Sequence, residues 1–251
     1  MKKENVYRTV FYIAGLLILA LGLTLNTKAG LGVSPIISVP YTFSQIFDFN
    51  FGNATLVFYC IFVFIELTLH FIRRNSNSLN KENFRLILFM DILQIPLSIV
   101  FTRFMNLFSN LFPNFASNST NPEQFSIQLF VLIIAILCTG IGASLSLSMR
   151  FIPNPGDGIV QTLADCVNQT VGTTKNCFDL LNISITITVG FLLAGHLTGV
   201  GIGTLIAVIG VGRTIAIFQH FTQNKINSLT GLSNMYCLRK CDTKSCFRIR
   251  I

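Results

Sequence analysis

Two short segments begin with residue pairs that favour the start of a helix and the binding of an anion. Ser34 and Pro35 open the segment PIISVPYTFSQIF, and Asn154 and Pro155 open PGDGIVQTLADCV. Serine and asparagine are good N-cap residues, and proline fits the first helical position. A helix N-terminus carries unpaired N–H groups and roughly half a positive charge, which favours an anion or a carboxylate. We therefore predict that these four residues bind a substrate.

Charged residues inside apolar segments form a second candidate group. Asp157 falls in the first turn of the second short helix, where it either caps N–H groups or contacts a substrate or a proton. Arg213 lies about eleven residues into the last apolar segment, and charges at that depth usually pair or line a path. We predict that Asp157 and Arg213 bind substrate. Asp91 and Asp179 are predicted to form an ion pair with Arg213, which locks helices together, or to lie on a proton path.

Other polar residues of the apolar segments lie near segment ends. Glu66 and Arg103 occupy such positions, and long charged side chains there extend their charged groups toward the interface. His70, His196 and His220 also lie near segment ends. We therefore expect all five side chains to be solvated rather than functional.

The composition places these residues in a membrane. Apolar residues make up 51% of the 251 residues and charged residues 11%, against roughly 25% charged in an ordinary soluble domain. The mean hydropathy is +0.64. Spanning a bilayer takes about 20 mostly apolar residues, so the two segments of about 13 residues are too short to cross. They are either helices on the membrane surface or re-entrant half-helices. Six segments are long enough: Arg8–Leu25, Ala54–Ile72, Leu86–Met105, Ile127–Leu147, Cys177–Gly195 and Ile202–Phe221.

The distribution of basic residues predicts the orientation. With a cytoplasmic N-terminus and six crossings, fifteen of the eighteen bases fall inside, Lys28 falls outside, and Arg103 and Arg213 fall within spans. If both short helices crossed, the loop from Arg73 to Arg85 would lie outside, against this bias. We therefore predict that both termini are cytoplasmic. The net charge of +8 then reflects orientation, and no nucleic-acid partner is expected.

The two halves of the chain match at an offset of 120 residues. Each half reads span, short helix, span, span, and an odd number of crossings inverts the second half. We predict an all-α polytopic membrane protein, with six transmembrane helices plus two short re-entrant helices as two inverted three-span repeats. Residues 1–115 form the first repeat, 122–224 the second and 225–251 a basic cytoplasmic tail. The matching residues are Leu25 and Leu145, Pro35 and Pro155, Thr42 and Thr162, Gly52 and Gly172, and Phe58 and Phe178.

Three glycine and proline motifs carry a family resemblance. They are GLGVSP (Gly30–Pro35), PNPGDG (Pro153–Gly158) and GVGIGT (Gly199–Thr204). With the six-span outline, they resemble the YczE/YyaS/YitT-type family of bacterial membrane proteins, and its YczE branch most closely. The resemblance covers about residues 8–222 and implies a bacterial cytoplasmic membrane location without an established activity. The tail with Cys237, Cys241 and Cys246 lies outside it, and its role stays open.

The sequence contains no enzyme motif such as HExxH, Walker A or GxSxG, so we predict neither catalytic activity nor a cofactor or metal site. We expect a transporter or channel for a small anionic or zwitterionic solute, with its site between the half-helix N-termini. The alternative is an accessory protein that supports a partner enzyme or assembly in the bilayer, and an intramembrane enzyme is least favoured. A polar central cavity would favour transport, whereas a dry, glycine-packed centre would favour the accessory role. A homo-oligomer or a membrane protein partner stays open.

Overall fold

A computed structural model describes residues 3–75, 81–115 and 122–231. Within these ranges all regular structure is helical, and six helices are long and apolar enough to cross a membrane. This confirms the prediction of an all-helical membrane protein with six spanning helices and two short ones. The α-helices are α1 Lys3–Ala29, α2 Pro35–Ile46, α3 Phe51–Asn75, α4 Lys81–Leu111, α5 Pro122–Ser148, α6 Pro155–Val167, α7 Val171–Val189 and α8 Ile202–Leu229, and α7 continues into a π turn at Gly190–Ala194.

The spanning helices extend beyond the apolar segments that predicted them. α1 has 27 residues, about 40 Å at 1.5 Å per residue, which exceeds a hydrocarbon core of about 30 Å. α7 begins at Val171 rather than at Cys177, because Thr170 caps it by accepting a hydrogen bond from the Thr173 N–H (3.2 Å). α8 continues to Leu229, so the predicted boundary at residue 225 falls inside a helix. Cys237, Cys241 and Cys246 lie outside the described residues.

Helices α1 and α5 form the central pair of the bundle and run antiparallel. A Cβ atom added to Gly15 would lie 2.7 Å from the Ser146 nitrogen, and one added to Gly22 would lie 2.5 Å from the Thr139 nitrogen. Only glycine leaves room for backbones this close, which is how small residues join helices in membranes. α4 packs on α1, and α8 packs on α5.

Each short helix packs on a spanning helix of the other half of the chain. α2 packs along α7, and α6 packs along α3. The first turns of α2 and α6 also contact each other, because Ile36 Cγ1 lies 2.9 Å from the position of a Cβ atom on Gly156. A core of buried apolar side chains surrounds this meeting point; its members include Leu19, Leu23, Val33, Ile37, Tyr59, Ile159 and Val160.

Basic residues collect at one end of the bundle, which we call the basic end. It holds the start of α1 and the end of α5, since the Arg8 guanidinium donates to the Met149 carbonyl (2.9 Å) and lies over the Phe151 ring. α4 runs parallel to α1, with Thr24 Oγ1 3.5 Å from the Met105 carbonyl oxygen, so α4 starts at this end too. The antiparallel α3 ends there, at Arg73 and Arg74. This clustering agrees with the predicted orientation, which itself stays a prediction.

Candidate functional site

The two short helices begin where the proline pairs predict. Ser34 and Asn154 occupy the N-cap positions, and Pro35 and Pro155 are the first helical residues. Neither N-cap side chain bonds to its own helix. The N-cap side chains therefore serve other contacts, while the Ile37 and Asp157 N–H groups donate to the backbone carbonyls of Ser34 (3.1 Å) and Asn154 (2.8 Å).

The N-cap residues instead connect the short helices to neighbouring spans. The Ser34 N–H donates to Asn26 Oδ1 on α1 (2.5 Å), and Asn154 Nδ2 donates to the Tyr59 hydroxyl on α3 (3.1 Å). Tyr59 is fully buried, and Asn154 Oδ1 has no partner among the described residues. The start of α6 thus presents an unused acceptor inside the bundle.

Acidic side chains surround the start of α6. Asp157 is half-buried in its first turn, and burial raises the pKa of the Asp157 carboxyl while Lys175 on α7 lowers it. Asp179 is buried on α7, close enough to interact with the charges of Asp157 and Lys175. Asp179 Oδ1 has no partner among the described residues. The structure therefore brings Asn154, Asp157 and Asp179 into one region, and their role as site residues stays a prediction.

Arg213 does not join this region. It is exposed on α8, and Asp91 pairs with His70 instead. The predicted ion pair of Arg213 with Asp91 or Asp179 is therefore wrong. The reason is angular: the buried Val211 lies two positions earlier, and two residues turn a helix by about 200°. The position of Arg213 within its apolar segment indicated how deep it lies in the membrane, but not the face of the helix that carries it.

A second group of buried polar residues lies between α3, α4 and α6, and we call it the polar column. Gln94 Nε2 donates to Glu66 Oε2 (2.8 Å), and one helical turn further the His70 Nδ1 proton is shared with Asp91 Oδ2 (2.7 Å). Thr162 Oγ1 of α6 lies 3.4 Å from His70 Nε2. Beyond these residues, at the basic end, Arg73 Nη1 and Asp165 Oδ2 form an exposed ion pair (3.4 Å). The polar column consists of Glu66, His70, Asp91, Gln94 and Thr162.

The polar column corrects two expectations. Glu66 is 1% exposed and His70 is 6% exposed, so neither is solvated. Both lie on one face of α3 at a spacing of four residues, and Asp91 and Gln94 lie on one face of α4 at a spacing of three. These spacings in apolar segments are the signal that could have indicated a shared polar face. Their pairing, however, depends on how α3 and α4 pack.

The two glycine motifs at the far end from the basic residues contact each other. The Val33 N–H donates to the Gly199 carbonyl (2.9 Å), and the Gly203 N–H donates to the Leu31 carbonyl (2.7 Å). Gly32 has φ +108°, a conformation that favours glycine. A cleft of about 350 Å³ opens beside this contact, lined by Thr27, Gly30–Val33, Tyr41, Leu197 and Gly199–Ile202.

Comparison with known proteins indicates a family without assigning an activity. No curated protein and no solved structure matches the chain. The model of a family of unknown function, DUF6198, matches residues 6–220, which include all eight helices in whole or in large part. The narrower resemblance to YczE-type proteins stays a prediction. A match over this share of the residues means that the chain belongs to the DUF6198 family of unknown function.

Proposed function

We propose that the protein transports a small anionic or zwitterionic solute across a bacterial cytoplasmic membrane, with both termini in the cytoplasm. The solute would bind where the first turns of α2 and α6 meet. The observation that carries this proposal is the contact of Ile36 with Gly156, because it brings two helix N-termini together inside the bundle. Half-helices whose N-termini face a central site are a recurrent plan of transporters.

The burial of the two short helices supports our proposal that they are re-entrant half-helices. Ser34 and Asn154 at their N-termini are buried, with 6% and 5% exposure. At the opposite ends, Phe47 and Val167 are about three-fifths exposed, at 60% and 61%. Each helix thus starts in the interior and ends at the surface. A helix lying on the membrane surface would instead expose one face along its whole length.

Two equivalent contacts support inverted repeats. Ser38 of α2 bonds Thr186 of α7 (Oγ to Oγ1, 2.7 Å), and Gly158 of α6 lies against the Glu66 carboxyl of α3. At the offset of 120 residues, Ser38 corresponds to Gly158 and Glu66 corresponds to Thr186. A contact and its counterpart are therefore both present, as two halves related by a two-fold axis require. We propose that residues 1–115 and 122–224, with the last helix extended to Leu229, form these repeats.

The charges near α6 favour a zwitterion over a simple anion. A carboxylate of the solute would accept hydrogen bonds from the Ile36 and Gly156 N–H groups, which are the first N–H groups of the two half-helices. An ammonium group could then lie beside the buried Asp179 or the half-buried Asp157. Arg213 has no part in this proposal, because it is exposed on the outer face of α8.

The second candidate function is an accessory protein that supports a membrane partner. Two observations favour it: buried apolar side chains surround the meeting point of the short helices, and Arg213 is exposed midway along α8. A basic side chain at the centre of a bilayer costs about 2.5–3.5 kcal/mol on insertion scales, and a partner helix with an acceptor would reduce that cost.

Cysteine accessibility separates the two candidates. In a cysteine-free background, single cysteines at Ser34, Ile36 and Asn154 are labelled with membrane-impermeant thiol reagents from each face. The exposed ends of the short helices, Phe47 and Val167, provide the matched controls. Transport predicts slow labelling of Ser34 and Ile36 from the outside and of Asn154 from the cytoplasm.

The possible outcomes are distinct. Labelling as fast as that of the controls would mean that the short helices lie on the membrane surface, and the transport proposal would be wrong. No labelling from either face would indicate a permanently closed centre and would favour the accessory role.

A further inference from the structure

The pair of Glu66 and Gln94 contains two buried oxygens without a partner. Each residue is 1% exposed, and a single hydrogen bond joins Gln94 Nε2 to Glu66 Oε2 (2.8 Å). Glu66 Oε1 and Gln94 Oε1 have no hydrogen-bond partner among the described residues. Buried acceptors of this kind are costly when they remain unsatisfied, so the pair requires an additional donor or cation.

Both unpartnered oxygens face the same point on α6. The position of a Cβ atom on Gly158 lies 2.9 Å from Glu66 Oε1 and 3.1 Å from Gln94 Oε1. Glycine at position 158 leaves this space free, and two acceptor oxygens that surround one point repel each other unless a donor or a proton satisfies them. One proton on Glu66 Oε1 satisfies both: the acid O–H donates to Gln94 Oε1, while Gln94 Nε2 donates to Glu66 Oε2. An acid and a primary amide then form two parallel hydrogen bonds.

The surrounding charges also favour a neutral Glu66. The titratable groups around Glu66 include Tyr59 and His70 on its own helix, Asp91 on α4 and Asp157 on α6. His70 and Asp91 already form a hydrogen-bonded pair with each other, and Asp157 is acidic. α2, which packs on the first turns of α3, has no acidic or basic side chain, and its Tyr41 contacts Phe51 at the other end of α3. A carboxylate at Glu66 would therefore be a buried charge without a counter-ion.

We propose that Glu66 and Gln94 form a proton-binding site, in which Glu66 holds one proton at neutral pH and exchanges it with the basic end through the polar column. On deprotonation the Glu66 O–H bond breaks, the electron pair stays on the carboxylate, and the proton leaves toward His70, one turn closer to the basic end. His70 and Thr162 lie between Glu66 and the exposed pair of Arg73 and Asp165. The role of this proton in coupling rests on the proposed transport function, whereas its binding does not.

Infrared difference spectroscopy tests the proton directly. The full chain in lipid nanodiscs is titrated from neutral to alkaline pH, and the carbonyl stretch of a protonated carboxylic acid is monitored. We expect a band that disappears on alkaline titration and is missing in Glu66→Gln. The matched control is Asp165→Asn, which removes an exposed acid at the same end of the molecule and leaves the band unchanged. An additional Asp157→Asn variant assigns any band that comes from α6.

A second variant keeps the test valid if Glu66→Gln does not fold. Gln94→Leu retains the acid but removes its amide partner, so the band should remain and move to a higher frequency. The proposal is overturned if no acid band exists at neutral pH, if the band survives Glu66→Gln, or if it is unmoved by Gln94→Leu. A carboxylate band that shifts when Na⁺ replaces K⁺ would mean that a cation, not a proton, lies between the two oxygens.

The two proposals of this article can fail separately. Loss of the acid band with slow, face-specific labelling at Ser34 and Asn154 would overturn proton binding and leave transport intact. A persistent acid band with surface-like labelling would overturn transport and leave the proton site. If both hold, proteoliposomes loaded with a pH-sensitive dye should show an acid-induced proton influx that falls at least tenfold in Glu66→Gln. The influx should be unchanged in Glu123→Gln, which alters an exposed acid of α5 outside the polar column.

Discussion

The two short helices pack in equivalent ways but in chemically different surroundings. α2 meets α7 through hydroxyl groups. Ser38 bonds Thr186, and each hydroxyl also lies within donating distance of a backbone carbonyl oxygen of its own helix. α6 meets α3 at Glu66 and His70, which are backed by acidic and amide side chains of α4. The contact between α2 and α7 thus consists of neutral side chains, whereas the equivalent contact between α6 and α3 contains titratable ones.

Residue correspondences at the offset of 120 make the difference explicit. Glu66, His70, Asp91 and Gln94 correspond to Thr186, Gly190, Val211 and Thr214. α3 packs along α4 through its polar pairs, whereas α7 ends in a π turn and α8 packs mainly on α5. Equivalent backbones can therefore carry different functions, because helix packing is set by small and apolar residues while the chemistry depends on a few side chains.

The largest expected loss of stability comes from disrupting the titratable residues where α6 meets α3 and α4. Asp91→Ala removes the acceptor of His70 Nδ1 and breaks a buried pair, which should destabilise the protein by about 3–5 kcal/mol. Thermal unfolding of the purified protein in detergent measures this loss. Asp165→Asn is the control, because exposed ion pairs contribute about 0–1 kcal/mol. Similar unfolding temperatures for the two variants would contradict a buried pair.

A methyl group on α6 should have the next largest effect. Gly158→Ala places a Cβ atom 2.9 Å from Glu66 Oε1, and such overpacking costs about 1–3 kcal/mol. Gly172→Ala is the matched control: its Cβ meets no atom within 4 Å, and alanine is favoured in a helix by up to about 1 kcal/mol. The two substitutions should shift the unfolding temperature in opposite directions. A stabilising Gly158→Ala would mean that the Glu66 carboxyl lies elsewhere.

Substitutions at the neutral contact between α2 and α7 should reduce the stability less. Thr186→Val removes the hydroxyl that bonds Ser38 and keeps the shape of the side chain, at a cost of about 1 kcal/mol. The same measurement on Thr188→Val provides the control, since Thr188 bonds only within its own helix. A loss as large as that of Asp91→Ala would remove the energetic contrast between the two short-helix contacts.

The smallest effect is expected at Arg213. Arg213→Leu should change the stability of the isolated protein by no more than about 0.5 kcal/mol, because the side chain is exposed and lies outside the polar column. Labelling of cysteines at Ser34 and Asn154 should also be unchanged. Faster or slower labelling in this variant would mean that Arg213 contributes to the site between the short helices. If a partner covers α8, Arg213→Leu should instead weaken that assembly, which cross-linking in native membranes would detect.

Much of the candidate site could be predicted from local signals. The N-cap residues Ser34 and Asn154 and the prolines after them indicated where the short helices begin, because capping depends on neighbouring residues alone. The chemistry at Asn154 was not predictable in the same way. Its amide bonds Tyr59, 95 residues earlier, and nothing near either residue in the sequence specifies that contact.

Composition and the order of residues were enough to predict the helical class, the six spans, the two short helices and the accumulation of basic residues at one end. The burial of Glu66 and His70, the pairing of Asp91 with His70 and the exposure of Arg213 emerge only when the helices pack. This is because position along an apolar segment specifies how deep a side chain lies in the membrane, whereas packing between helices determines which face is buried and what it contacts.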